Sequence, residues 1–253
     1  MKKLALVLAL TCVCFSVAAF AQTTTTNVKL ELLLLVDISG SVSPIEYDLQ
    51  KTGYVNAFND AGIIDAIGAA PGGIAVAFAE WSGYNQQYML VDWTHVYDAA
   101  TSQAFATAIN GTTRPSPYNL TAPGSAINWG VPRFDSNLFT GINEVIDISG
   151  DGSQNDGVDT FTAATAAYTA GITVNGLAIL GSESGLSTWY QNNIVTPGHG
   201  TLWTASSFDS FGDAILEKIG TEIEQPVIPE PTSLLLLGTG LIGIGLAAWR
   251  RKK

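Results

Sequence analysis

This 253-residue chain predicts an α/β fold with a mostly parallel central sheet and helices on both faces. Three observations carry that expectation. Apolar runs too continuous for half-solvated strands recur along the chain, as strands covered on both faces require. Segments with helix-capping signals stand between them, which is the alternation of a parallel sheet between helix layers. Carboxylates and hydroxyls follow several of the runs, at the strand ends where such sheets gather ligands.

The elements follow in order. Residues 29–39, KLELLLLVDIS, form a continuous apolar run that predicts a buried strand. Ser43 and Pro44 open a helix over 44–60, since serine caps and proline suits the first turn. A second buried strand is predicted over 72–82, GGIAVAFAEWS, and a shorter edge strand over 86–93, QQYMLVDW. Residues 98–110 read as a helix ending at Gly111, and another helix runs from about Gly124 to Trp129, before Pro132. NEVIDIS, 143–149, predicts a third buried strand that stops at a glycine-bounded acidic loop. Residues 158–171 form a helix with Gly171 as its stop. ITVNGLAIL, 172–180, and GTLWTA, 200–205, predict two further strands, and 206–224 closes as an amphipathic, serine-capped helix. No internal repeat is present.

The two ends are of another kind. Lys2 and Lys3, an apolar stretch and Ala19-Phe20-Ala21 read as an export signal over 1–21, followed by a polar leader over 22–28. Cys12 and Cys14 lie in that signal, so a mature chain has no disulfide, thiolate metal site or cysteine nucleophile. At the other end, a proline-rich linker (225–231) precedes 18 uncharged residues (232–249) and the basic tail RRKK (250–253), enough to span a bilayer with its tail in the cytoplasm. Pro229-Glu230-Pro231, the apolar segment and the basic end together resemble the PEP-CTERM sorting signal of Gram-negative bacteria. That resemblance implies an exosortase-type processing enzyme, an inner-membrane anchor before processing, and a final place at the cell surface or in the matrix. Between the ends, 22 acidic residues stand against 5 basic ones. Such a surface repels nucleic acid and anionic lipid, and suits cations.

The chemistry gathers in three segments. Asp37-x-Ser39-x-Ser41 gives a carboxylate and two hydroxyls after the first strand; Thr121 gives a hydroxyl just before a helix; Asp151 follows the third buried strand. Three hydroxyls and two carboxylates are hard oxygen donors, which select magnesium, calcium or manganese over softer metals. Magnesium is favoured here, with a coordination position left for a partner's carboxylate. D-x-S-x-S, a threonine about 80 residues on and a later aspartate after another strand resemble the metal-ion-dependent adhesion site of von Willebrand factor A domains. The likeness covers roughly residues 29–224 and implies a Rossmann-like von Willebrand factor A fold, with Asp37, Ser39, Ser41, Thr121 and Asp151 around the metal. VDISGSVSPIEYDLQKTGY, GGIAVAFAEWSG, VIDISGDGSQNDG and GITVNGLAIL look closer still to a bacterial subfamily of unknown function with this fold. The family's last motif reads T-D-G, whereas Ser149-Gly150-Asp151-Gly152 here carries an inserted glycine.

Other candidates carry less. Glu80 ends a strand at the same rim and is a candidate to stand one step behind the ligands; packing or capping is its plainer reading. DGSQNDGVD, 151–159, departs from a calcium loop at its glycine and its twelfth position, leaving a polar loop in which Asn155, Asp156 and Asp159 are weak candidates for a second ion. Trp93, Trp129, Trp189 and Trp203 are expected mostly in the core, with a rim tryptophan able to stack on sugar. His95 and His199 are the only histidines, and no G-x-S-x-G turn or lysine-bearing phosphate loop is present. The resulting expectation is a non-enzymatic, exported binding module that holds a divalent cation and, through it, an acidic group on a protein or polysaccharide. The alternatives are a metal-assisted hydrolase of extracellular polymer and a purely structural matrix protein.

Overall fold

In the computed structural model, which describes residues 25–224, six strands form one sheet in the order β3-β2-β1-β4-β5-β6. The strands are β1 (Thr26–Asp37), β2 (Ile74–Trp81), β3 (Gln87–Val96), β4 (Phe139–Gly150), β5 (Thr173–Ile179) and β6 (Leu202–Ala205). All neighbours pair in parallel except the edge strand β3, which runs antiparallel to β2. The helices are α1 (Pro44–Asn59), α2 (Ala61–Ala69), α3 (Ala99–Asn110), α4 (Pro123–Gly130), the single turn α5 (Pro132–Asp135), α6 (Thr160–Thr169), α7 (Leu186–Asn193) and α8 (Phe211–Glu224). The export signal, the sorting segment 232–249 and the motif Pro229-Glu230-Pro231 lie outside the described residues. Among the described residues no helix is long and apolar enough to cross a membrane.

The leucine run of β1 shows why the sheet is covered twice. Leu30, Leu32, Leu34 and Val36 pack into one apolar cluster with residues of α1, α2, α3 and α8. Leu33 and Leu35, pointing the other way as strand geometry demands, join residues of α4, α6 and α7. Each side chain so buried contributes about 2 kcal/mol. Central β1 therefore fixes both layers, and its carboxyl end is the place to which neighbouring loops converge.

Several expectations shift in detail. β1 begins at Thr26, inside the polar leader, because Thr26 and Asn27 pair with Phe139 and Thr140 of β4. Helices α2 and α7 stand where the sequence reading placed none. The closing segment is split: a 3₁₀ turn at Phe208–Ser210, capped by Ser207, precedes α8. Gly171 does stop α6, with φ of 92°, a backbone angle that glycine adopts without steric cost.

Two polar clusters interrupt the core. Lys218 of α8, fully buried, lies 2.6 Å from Asp147 of β4 and 2.6 Å from Glu222 one turn on. Asn175 of β5 donates to Glu222 at 2.7 Å. Glu31 of β1 accepts from the side chain of Asn137 and the backbone of Gly141.

Candidate functional site

Asp37 is the last residue of β1, and the backbone folds back over it at once. The Ser39 amide donates to Asp37 Oδ1 at 2.6 Å, which tightens the turn that follows. Arg114, from the segment after α3, clamps this turn. Its Nη2 donates to the carbonyls of Ile38, Ser39 and Val42 at 2.8, 3.1 and 2.8 Å, while its guanidinium stacks on Tyr118, 3.7 Å from the ring centre. Ser43 then caps α1 in a capping box with Glu46.

The turn presents its hydroxyls to the end of β4. Ser39 Oγ lies 3.2 Å from Ser41 Oγ, and Ser41 donates to Asp151 Oδ1 at 2.7 Å. Asp151 directly follows β4, and its carbonyl accepts from the Ser182 hydroxyl at 2.5 Å. The inserted glycine has a physical reason. A Cβ at Gly150 would sit 2.7 Å from Asp37 Oδ2 and 2.7 Å from the Tyr190 hydroxyl, closer than any side chain allows. Gly150 is what lets the Asp37 carboxylate lie against β4.

Thr121 arrives by a different route. Ser82, just past β2, accepts from the Asn119 amide and donates to the Leu120 carbonyl, while its own carbonyl accepts from the Ala122 amide. Asn155 fastens the other side: its Oδ1 accepts from the Thr121 amide, and its own amide donates to the Thr121 carbonyl. Thr121, Ser41 and Asp151 line one concavity of about 570 Å³, with Gly152, Ser182 and Glu183.

The electrostatics of this cluster are unbalanced. Asp37 is fully buried, and its Oδ2 has no hydrogen-bond partner. Burial, then the charge of Asp151, push its pKa up to about 7, with the Ser39 bonds offsetting part. Asp151 is also raised, first by burial and then by Glu46, against the Ser41 bond. Among the described residues the only salt bridges are those of Lys218, so neither carboxylate has a cationic side chain of those residues beside it. Nor is there, among the described residues, a group of three or more acidic, histidine or cysteine side chains placed to hold a metal ion by themselves. The cluster's character is two carboxylates supplemented by hydroxyls, a donor set that fits a hard cation and not a soft one.

Glu80 stands apart from these five. It faces the α1 side of the sheet, 1% exposed, near Tyr47, Arg114 and Lys51, so its route to the turn runs through Arg114. The weak second-ion candidates are committed elsewhere: Asn155 holds Thr121, Asp156 accepts from the Tyr84 amide, and Asp159 caps α6. His199 stacks on Tyr168 at the surface. Among the described residues Trp81 is the fully buried tryptophan, whereas Trp93, Trp129, Trp189 and Trp203 are half-buried at the margins of the core. Arg114, Tyr190 and Glu183 escaped the sequence reading, because each reaches the site from a distant segment without a motif of its own.

Residues 27–227 match the family described as Protein of unknown function (DUF1194). The chain belongs to that family. Residues 227–252 match the PEP-CTERM protein-sorting motif. No curated protein matches. Among solved structures, the chain is similar to proximal thread matrix protein 1 from the mussel byssus, described with a zinc-occupied MIDAS motif (18% identity, TM-score 0.55, 78% of this chain and 46% of that one). It is also similar to the pilus adhesin SpaC from Lactobacillus rhamnosus GG (17%, 0.55, 77% and 30%). A von Willebrand factor type A protein from Catenulispora acidiphila is a third such structure (14%, 0.54, 78% and 43%). The chain spans less than half the length of each. At these identities the likeness establishes the fold, which is the Rossmann-like von Willebrand factor A fold.

Proposed function

We propose that this DUF1194 chain is an exported binding module that holds a divalent cation through Asp37, Ser39, Ser41, Thr121 and Asp151, and through that cation an acidic group on a protein or polysaccharide. One observation carries the reading. The buried, unpartnered Oδ2 of Asp37 lies close to a second carboxylate, Asp151, among hydroxyls and without a lysine or arginine at salt-bridge distance. Two carboxylates so placed repel one another, and a buried charge without a partner is costly; a hard cation removes both penalties. When bound, such a cation supplies a Lewis-acid position open to an outside carboxylate. The chain's own part is to hold the donors still: Arg114 fixes the turn, Ser82 and Asn155 fix Thr121, and Gly150 brings β4 against Asp37.

Magnesium is the ion best matched to this hydroxyl-rich set, with calcium and manganese next; the zinc of the byssus protein's site adds zinc to the ions worth testing. The PEP-CTERM match supports export, a membrane-anchored stage and processing by an exosortase-type enzyme before release to the surface or matrix. Calorimetry on the purified chain with magnesium, manganese, calcium and zinc tests the metal claim. Binding of at least one ion, lost in Asp37→Ala, is expected; no heat with any of the four overturns it. A pulldown from native matrix with and without chelator then tests the partner, expected only without chelator.

A further inference from the structure

A second cavity lies apart from the carboxylate cluster and shares none of its residues. It is a groove of about 730 Å³ whose walls include Met89, Asp92, Trp93, Arg133, Ser136 and Phe139. The groove runs along the edge strand β3 toward Phe139, where β4 begins; at its near end Met89 pairs with Ala79, two residues short of Trp81, the partner of Asp37, so it lies on the outer edge of the sheet, two strands from β1. Its size falls within the range of small-molecule sites.

We propose that this groove binds pyranose rings of an uncharged polysaccharide, independently of the metal. Three features point there. First, β3 is bulged at the groove. Val76 pairs with Thr94, but Phe78 pairs with Val91, so Asp92 and Trp93 together oppose one residue of β2. Bulges re-aim side chains and cluster beside functional sites. Here the Trp93 amide donates to Asp92 Oδ1 at 2.8 Å and the Thr94 hydroxyl to the Asp92 carbonyl at 2.8 Å, which fixes the bulge.

Second, the groove offers carbon surface beside paired polar groups. The Trp93 indole nitrogen is buried without a partner, so what the ring turns outward is carbon. The ring is held edge-on against Phe134, 5.2 Å between centroids. Arg133 is held too: it stacks on Trp129 at 3.2 Å and donates to the Trp129 carbonyl, with further N–H groups to spare. Asp92 keeps Oδ2 in reserve. An acceptor and a donor side by side, one negative and one positive, suit a ligand whose groups both donate and accept. Vicinal hydroxyls do so, and the C–H face of a sugar ring covers an aromatic carbon surface.

Third, the chain's net charge of −11 opposes a polyanion. No single-sign cluster in the groove offsets that, since Asp92 and Arg133 balance. A neutral glycan meets no such opposition.

The test uses the full chain in a zwitterionic detergent without sugar headgroups, in EDTA, titrated with neutral hexasaccharides of glucose, mannose and N-acetylglucosamine while tryptophan fluorescence and calorimetry are followed. At least one should bind with a Kd between roughly 10 μM and 1 mM, and EDTA should not matter. Trp93→Ala should weaken it about tenfold or more, the loss expected for one aromatic platform. Ser136 is exposed, so Ser136→Arg should block the groove by about as much without disturbing the core, which circular dichroism verifies. No response from any hexasaccharide at about 10 mM, binding only of uronate oligomers, or binding that survives both substitutions overturns the proposal. Failure here leaves the cation site untouched, because every arm is run in chelator.

Discussion

The chain buries two carboxylate pairs against one sheet and treats them in opposite ways. Asp147 and Glu222 share a buried lysine, Lys218, at 2.6 Å from each, with Asn175 completing the network. Asp37 and Asp151 share hydroxyls but, among the described residues, no ammonium or guanidinium. Both pairs face the same cost of desolvation. One carries its counter-ion in the chain; the other has none among the described residues. The protein can build an internal cation where structure is the purpose, so the lack of one at the end of β1 is informative about the site.

The largest effect that can break this comparison is expected at Lys218. Lys218→Met leaves Asp147 and Glu222 buried without a cation, and removal of one member of a buried ion network costs about 3–5 kcal/mol. Chemical denaturation should show that loss, and the triple variant Lys218→Met, Asp147→Asn, Glu222→Gln should recover most of it. A single variant as stable as the parent would mean that the network does not neutralise charge.

At the other pair the sign reverses. Asp37→Asn removes a buried, repelled charge, so the metal-free protein should melt no lower than the parent and somewhat higher above pH 7. What it should lose is the stabilisation by magnesium, about 2.7 kcal/mol at a hundredfold excess over Kd. Thermal melts with and without magnesium check both halves.

How much of this contrast was legible in the sequence differs between the two pairs. Asp37, Ser39 and Ser41 announce themselves by spacing after an apolar strand, and in the structure Ser41 donates to Asp151. Lys218 and Glu222 sit at a spacing ordinary for a solvated helix face, and nothing local says that the face is buried. The one clue was Asp147, a carboxylate inside the apolar run VIDIS, just as Glu31 stands inside KLELLLL. Strands β1, β2, β4 and β5 were readable because double burial writes itself as unbroken hydrophobicity. Helix α2, AGIIDAIGA, carries two glycines in nine residues, and α7, LSTWYQNN, has almost no apolar stripe; packing of Ile63, Ile67 and Tyr190 makes them helices. Arg114 lay beyond reach because its partners are backbone carbonyls more than 70 residues away.

Glu80 is the intermediate case and sharpens the comparison through pH. Burial raises its pKa from 4.5 to about 7, against the pull of Tyr47, Arg114 and Lys51. The folded state thus holds a proton that the unfolded chain releases at lower pH. Its contribution is complete below pH 4.5 and lost as pH rises through 7, a loss of about 3 kcal/mol in denaturation measurements across that window. Glu80→Gln should flatten that part of the profile. An unchanged slope would assign it to other groups: Asp37, raised to about 7 by burial and by Asp151, Glu144, raised to about 7 by burial and by Glu31 and Asp135, or the pair Asp147 and Glu222, both raised by burial.

The smallest effect separates the turn from the helix it feeds. Ser43 accepts from the Glu46 amide at 3.3 Å, and Glu46 Oε2 accepts from the Ser43 amide at 2.8 Å. Ser43→Ala should cost about 1 kcal/mol, the usual value of an N-cap. It should leave magnesium affinity nearly unchanged, because the turn is held by Arg114 and by the Asp37–Ser39 bond and not by the cap. Glu46→Gln should cost less stability yet weaken magnesium binding slightly, since Glu46 contributes negative charge beside Asp151. Calorimetry on the two variants measures that divergence. If Ser43→Ala abolished binding while Glu46→Gln did not, the cation would depend on where α1 begins, and the rigid, Arg114-clamped turn would no longer explain the site.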